Sequence, residues 1–231
     1  VTYTHSIQEV YDFSPEAIFV PGNIVPYYLP GVKVQVFHGY AAEKKDHWVI
    51  RRYFDTYFTQ GPFFTKKFKE LAVKYGDFEV VETGWPKQDW IKTHWHDFDQ
   101  EREKLLREHG KKQIVLYAPT FSPSLTSLPA LKEALLRDIV LLLKFHPLTR
   151  KEWIDEYKQL AEQEEHIVWV DGFNVTKYQL MSDVMISDTS STVYEFLLLG
   201  RPVITYPTIA KDLYWTDITD VTQLMEAFER A

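Results

Sequence analysis

Short apolar runs, each closed by Gly, Pro or a polar cluster, alternate along the chain with stretches whose apolar residues recur at helical spacing. In the first part Ala17-Ile-Phe-Val20 stops at Pro21-Gly22, and Val32-Lys-Val-Gln-Val-Phe37 stops at His38-Gly39. Tyr57-Phe58 leads into Thr59-Gln-Gly-Pro62, and Phe78-Glu-Val-Val81 leads into Gly84-Trp-Pro86. Between the last two runs, residues 63–75 place Phe64, Phe68, Leu71 and Ala72 on one side and basic residues opposite, which predicts an amphipathic helix. Strand, helix, strand implies a parallel sheet. Four short strands make a thin one, so this α/β domain is read as incomplete, with strands expected upstream; the lack of an initiator Met fits a piece of a longer protein.

The polar stretch from about 93 to 110 contains a predicted helix, residues 99–109, stopped by Gly110. A long charged helix between two sheet-like blocks marks a boundary, and the chain is divided into domains 1–98 and 99–231. In the second, strands are predicted at 114–118, 139–145, 167–170, 184–186 and 203–206. Helices are predicted at 128–137, 151–163, 175–181 and 221–230, with one more between the last two strands. That is a doubly wound domain with five parallel strands.

The last β-α-β unit carries the most chemistry. Val184-Met-Ile186 is an apolar run without alternation, as in a fully buried strand, followed by Ser187-Asp-Thr-Ser-Ser191. Ser190 or Ser191 can cap the helix that follows, in which Val193, Phe196 and Leu197 recur at core spacing before Gly200 stops it. Backbone N–H groups and the Thr189, Ser190 and Ser191 hydroxyls then meet at the carboxyl edge of a parallel sheet, where a phosphate oxygen fits. Glu195 lies one turn deeper than Ser191 on the same helical face, suited to a ribose. Capping alone also accounts for Ser and Thr at a helix start.

Other strand-end turns fall on the same kind of edge. Tyr117-Ala-Pro-Thr120 closes one strand with a rigid turn and a hydroxyl, and Lys144-Phe-His-Pro147 closes the next, with Lys144 and His146 two apart. His146 could donate to a phosphate oxygen or protonate a departing one. In the first domain His38-Gly39 ends a strand; Lys44-Lys45 and Arg51-Arg52 follow as candidates for acceptor phosphates or as a solvated face. His94-Trp-His-Asp97 puts two imidazoles on one side of an extended segment, but no third or fourth zinc ligand can be placed, so no metal is expected.

Composition narrows the classes. The 231 residues carry no cysteine, which removes disulfides, thiolate metal sites and a cysteine nucleophile. A net charge of −7 argues against a nucleic-acid surface, and any anion must be held by local features. No apolar run reaches membrane-span length, the N-terminus lacks a secretion-signal pattern, and a cytoplasmic setting is expected. Dinucleotide, P-loop and hydrolase-elbow strings are absent.

Five of these segments occur in the order of one family: Gln35-Val-Phe-His-Gly39 with Lys44-Lys45, Gly84-Trp-Pro-Lys-Gln-Asp89, Ile114-Val-Leu-Tyr-Ala-Pro-Thr120, Lys144-Phe-His-Pro147, and Ile186-Ser-Asp-Thr-Ser-Ser191 with Glu195. Over residues 34–207 the chain resembles the CDP-glycerol glycerophosphotransferases, the polymerases and primases of wall teichoic acid synthesis. The resemblance implies a GT-B-like fold, two Rossmann-like domains with parallel sheets facing a cleft. It implies a CDP-glycerol-type donor on the second domain, its diphosphate near Thr120, Thr189, Ser190, Ser191 and His146, and its ribose near Glu195 and Lys144. It implies His38 as base for the acceptor hydroxyl, with Gly39, Lys44 and Lys45 on the acceptor side, and neither metal nor other cofactor. The acceptor would be a polymer or lipid-linked, at the inner face of the cell membrane, with any peripheral attachment supplied by segments outside this chain.

Two departures bear on the donor. The family usually has Asp-Tyr-Ser-Ser followed by Asp, where this chain has Asp188-Thr-Ser-Ser191 and Glu195, and commonly Arg where Lys87 stands. Other GT-B enzymes hold a nucleotide ribose with Glu, so a nucleotide-sugar glycosyltransferase, a sugar-nucleotide epimerase or a non-catalytic binding relative remain alternatives.

Overall fold

The computed structural model describes residues 2–40, 42, 45–131, 138–211 and 213–231. Two compact units divide between Trp90 and Ile91. The division falls ahead of the expected one at residue 98 because Ile91 is fully buried in the second unit's core, with Trp95 and Phe98 packed around it.

In the first unit a short helix α1 (Ile7–Phe13) precedes β1 (Ala17–Val20), β2 (Val32–Val36), β3 (Thr56–Thr59), α2 (Pro62–Tyr75) and β4 (Glu79–Glu82). The strands pair in parallel in the order β1-β2-β3-β4. Phe37, Tyr57 and Phe68 form the centre of an aromatic core on one face, where the rings of Tyr57 and Phe68 stack at 5.0 Å. The amphipathic spacing in α2 buries Phe64 and Phe68 and leaves its lysines outside. Helix α1 was not expected; it buries none of its residues and is fixed by a Ser6 side-chain cap, so no apolar stripe announced it.

Helix α3 (Pro86–Thr93), also unforeseen, and α4 (Asp99–His109) lead to the second sheet. Its elements are β5 (Ile114–Tyr117), α5 (Leu128–Leu131), β6 (Val140–Leu143), α6 (Lys151–Gln163), β7 (Ile167–Trp169), α7 (Val175–Met181), β8 (Val184–Ser187), α8 (Ser191–Leu197), β9 (Val203–Thr205), β10 (Thr216–Asp217) and α9 (Leu224–Arg230). The helix expected to 137 begins as α5, and residues 132–137 lie outside the described set. The strands pair in parallel in the order β10-β9-β8-β5-β6-β7. Strand β10 extends the expected set of five; it is two residues long and polar, without a hydrophobic period to betray it.

Strands β5, β6 and β8 are buried at every position because both faces are covered. Val115 and Tyr117 pack on the face that α6 and α9 cover, while Ile114 and Leu116 pack on the face that α7 and α8 cover. The chain runs outward from β5 through β6 to β7, then crosses back to β8 and runs the other way. The reversal makes a switch point between β5 and β8, the kind of place where open α/β sheets hold ligands.

Candidate functional site

Asp188 ties the two loops of that switch point together. Its Oδ1 accepts the Thr120 backbone N–H at 2.8 Å, and its Oδ2 accepts both the N–H and the hydroxyl of Ser127 at 2.9 Å. The side chain is almost completely buried, and burial pushes its pKa up to about 6 against the pull of these hydrogen bonds. One residue before, the Ser187 hydroxyl donates to the Ala118 carbonyl at 2.7 Å, a second tie between the same segments. Behind Ser127 stands the Tyr117 hydroxyl at 2.9 Å, whose pKa burial holds well above the ordinary phenol value.

Thr120 is thereby fixed by its backbone, and it is itself nearly buried. Thr189 accepts the Ile209 N–H at 3.1 Å. Ser190, not Ser191, caps α8: its Oγ accepts from the Thr192 N–H at 3.4 Å and shares a hydrogen bond with the Thr192 hydroxyl at 2.8 Å. Ser191 opens the helix and is partly exposed. Helix α8 is short, seven residues. Glu195 within it is 4% exposed, deeper than a ribose ligand on an open helical face would be.

Beyond β6 the backbone stays in register, the Lys144 N–H donating to the Tyr117 carbonyl at 3.0 Å. Lys144 and His146 both lie past the end of β6, so strand spacing does not set their directions, and they differ in exposure. Lys144 is buried, its ammonium donating to the Phe145 carbonyl at 3.2 Å, and desolvation lowers its pKa against the pull of Asp171. His146 is exposed and stacks on Phe121 at 4.4 Å, which joins it to the loop that Asp188 holds. Its Nδ1 accepts the Leu148 N–H at 3.1 Å, so the neutral ring carries its proton on Nε2. Next to it a cavity of about 250 Å³ opens at the ends of β6 and β7, lined among others by Lys144, His146, Trp169, Asp171 and Phe173.

In the first unit His38 is exposed after β2, with Nδ1 2.8 Å from the Pro21 carbonyl oxygen. A carbonyl only accepts, so Nδ1 carries the proton and the neutral ring keeps a lone pair on Nε2. The carbonyl of buried Gly39 accepts from the Gln60 side chain at 2.9 Å. Exposed Lys45 begins a 3₁₀ turn, residues 45–48, and Lys44 lies outside the described residues. His96 of the suspected metal string contacts Asp99 at 2.7 Å.

Sequence reasoning missed Asp188, Ser127 and Phe121. An acid set between a buried strand and a hydroxyl cluster was the available signal for the first; the other two are placed only by the fold.

Two parallel α/β units, the second doubly wound with hydroxyl-bearing turns at its switch point, define a GT-B-like protein. The family described as CDP-Glycerol:Poly(glycerophosphate) glycerophosphotransferase matches residues 31–227, and the chain belongs to it. A teichoic acid poly(glycerol phosphate) polymerase of Bacillus spizizenii is 28% identical over 142 residues, 54% of this chain and 34% of that protein. A teichoic acid ribitol-phosphate primase of the same organism is 27% identical over 217 residues, 81% of this chain and 54% of that protein. This chain therefore spans about a third to about half the length of these relatives. Among solved structures, the wall teichoic acid polymerase TagF superposes with a TM-score of 0.60 at 20% identity, covering 89% of this chain and 61% of that one. A UDP-GlcNAc 2-epimerase from Neisseria meningitidis, bound to UDP-GlcNAc, superposes with a TM-score of 0.58 at 11% identity, covering 96% of this chain and 69% of that one.

Proposed function

We propose that this chain is part of a transferase that moves a glycerophosphate-type (alditol phosphate) group from a CDP-activated donor to an acceptor hydroxyl in cell-surface polymer synthesis. The observation that carries the reading is the pair of loops at the switch point of the second unit, within the region matched by the family. The donor diphosphate lies on Thr120, Thr189, Ser190 and Ser191, within reach of His146, and Lys144 serves the nucleoside half. An acceptor oxygen attacks the phosphorus next to the alditol in line; a new O–P bond forms, the P–O bond to the second phosphate breaks, and CMP leaves. The two imidazoles suit opposite roles. In its neutral form the His38 ring has its lone pair on Nε2, as a base for an acceptor hydroxyl needs, and the His146 ring has its proton there, as a donor to phosphate needs.

The acceptor is a polymer or lipid-linked chain at the cytoplasmic face of the membrane, with Gly39, Lys44 and Lys45 on its side. Among the described residues no helix is long and apolar enough to cross a membrane. A second reading, a nucleotide-sugar enzyme, is favoured by the likeness to the epimerase fold.

Thermal-shift titration with CDP-glycerol, CMP, UDP and UDP-sugars separates the two. Stabilisation by the cytidine compounds is expected, and stabilisation by UDP compounds alone refutes the cytidine donor. Unaltered turnover in both His38→Ala and His146→Ala would leave no catalytic case for either residue, and a wild type that binds the donor without turnover is a binding relative instead of an enzyme.

A further inference from the structure

We propose that Asp188 is a positioning residue that clips the loop after β5 to the loop after β8, so that the hydroxyls of both face the donor phosphates as one rigid set. The proposal deepens the donor-site reading and rests on it for the identity of the ligand. At 1% exposure the carboxylate is too buried to touch a ligand itself, so it acts through the groups it holds.

Three donors converge on it, the N–H of Thr120 and the N–H and hydroxyl of Ser127, and they need an acceptor-only group with both oxygens in use. Asn at this place keeps one acceptor and turns an NH₂ group toward another donor. Between Thr120 and Ser127 the chain forms no strand or helix, only a turn in which the Leu125 N–H donates to Ser122. Released from Asp188, that segment regains backbone freedom that ligand binding must then remove. The clip also reaches the imidazole, because Phe121, next to Thr120, carries the ring of His146.

The test pairs hydrogen exchange on the free protein with calorimetric binding of CDP-glycerol and CMP, for wild type, Asp188→Asn and Ser127→Ala. Asp217→Asn, which alters a carboxylate bonded to Thr205 on β9, is the control. Expected for Asp188→Asn is faster exchange in both segments, 118–127 and 188–191, and a Kd raised tenfold or more without a lowered melting temperature. Ser127→Ala falls between this and wild type, and the control moves neither readout. Should Asp188→Asn fail to fold, Ser127→Ala carries the same comparison. Wild-type exchange in both segments of a folded variant overturns the clip, and so does loosening of only one. If wild type binds neither compound, the donor reading fails, and the exchange data still decide the clip.

Discussion

Asp188 contributes to stability with a sign opposite to that of a salt-bridged carboxylate. Its pKa is raised from 3.8 to about 6 in the folded chain. Between those values the native state keeps a proton that the unfolded chain has lost, so stability falls as pH rises through the window and levels off above it. At about 1.4 kcal/mol per pH unit, the ionised side chain costs about 3 kcal/mol at neutral pH. Asp217 is also raised, by burial, and adds in the same direction, while exposed Asp220 is lowered by its hydrogen bonds to Thr222 and opposes it. Subtracting Asp188→Asn cancels both. Urea unfolding of the two proteins at pH 3, 4, 5, 6 and 7 is therefore expected to show wild type losing about 3 kcal/mol relative to the variant between pH 3 and 7. In melting temperature that is roughly 6–12 °C, from about 2–4 °C per kcal/mol for a chain of this size. Most of the change lies below pH 6. A difference that does not vary with pH, or that favours wild type increasingly as pH rises, refutes the assignment of a buried, ionised Asp188.

Substitution of His38 by Ala is expected to lower turnover about 10²- to 10⁴-fold, the usual worth of a general base, with little change in melting temperature because the ring is exposed. Asp183→Ala strips the bidentate partner from Arg102 and the acceptor from the Ile114 N–H, and is expected to cost about 2–4 kcal/mol in urea unfolding. Tyr157→Phe removes the buried hydroxyl that donates to the Leu128 carbonyl at 2.8 Å and leaves that acceptor unmet, for an expected loss of about 1–3 kcal/mol in the same assay. Phe68→Ala opens the aromatic core of the first unit and is expected to cost about 3–5 kcal/mol.

Much of the fold was legible because its strands are buried on both faces. Val184-Met-Ile186 and Val140-Leu-Leu-Leu143 show unbroken apolar runs with no competing reading, and Gly76 and Gly110 stop α2 and α4 in the left-handed conformation that suits glycine. What stayed hidden had no period to show. Helix α3 buries only Ile91, and β10 adds two residues to an edge, held by the hydrogen bond from Thr205 to Asp217 across the sheet. Neither leaves a stripe in the sequence.

The candidate site can be read from the sequence in its turns but not in its connections. Sequence places a hydroxyl cluster after one strand and an imidazole after another; only the strand order makes β5 their common neighbour and Asp188 and Phe121 the links. The two imidazoles make the same point at the level of a single proton. Each precedes a residue that breaks regular structure, Gly39 or Pro147, and nothing in those strings distinguishes a base from a donor. The distinction comes from backbone partners. The Pro21 carbonyl, remote in sequence, forces the His38 proton onto Nδ1, while the Leu148 N–H, two residues away, forces that of His146 onto Nε2. Reversing either tautomer would break its backbone contact, so the proton of each neutral ring is placed by the loop that carries it.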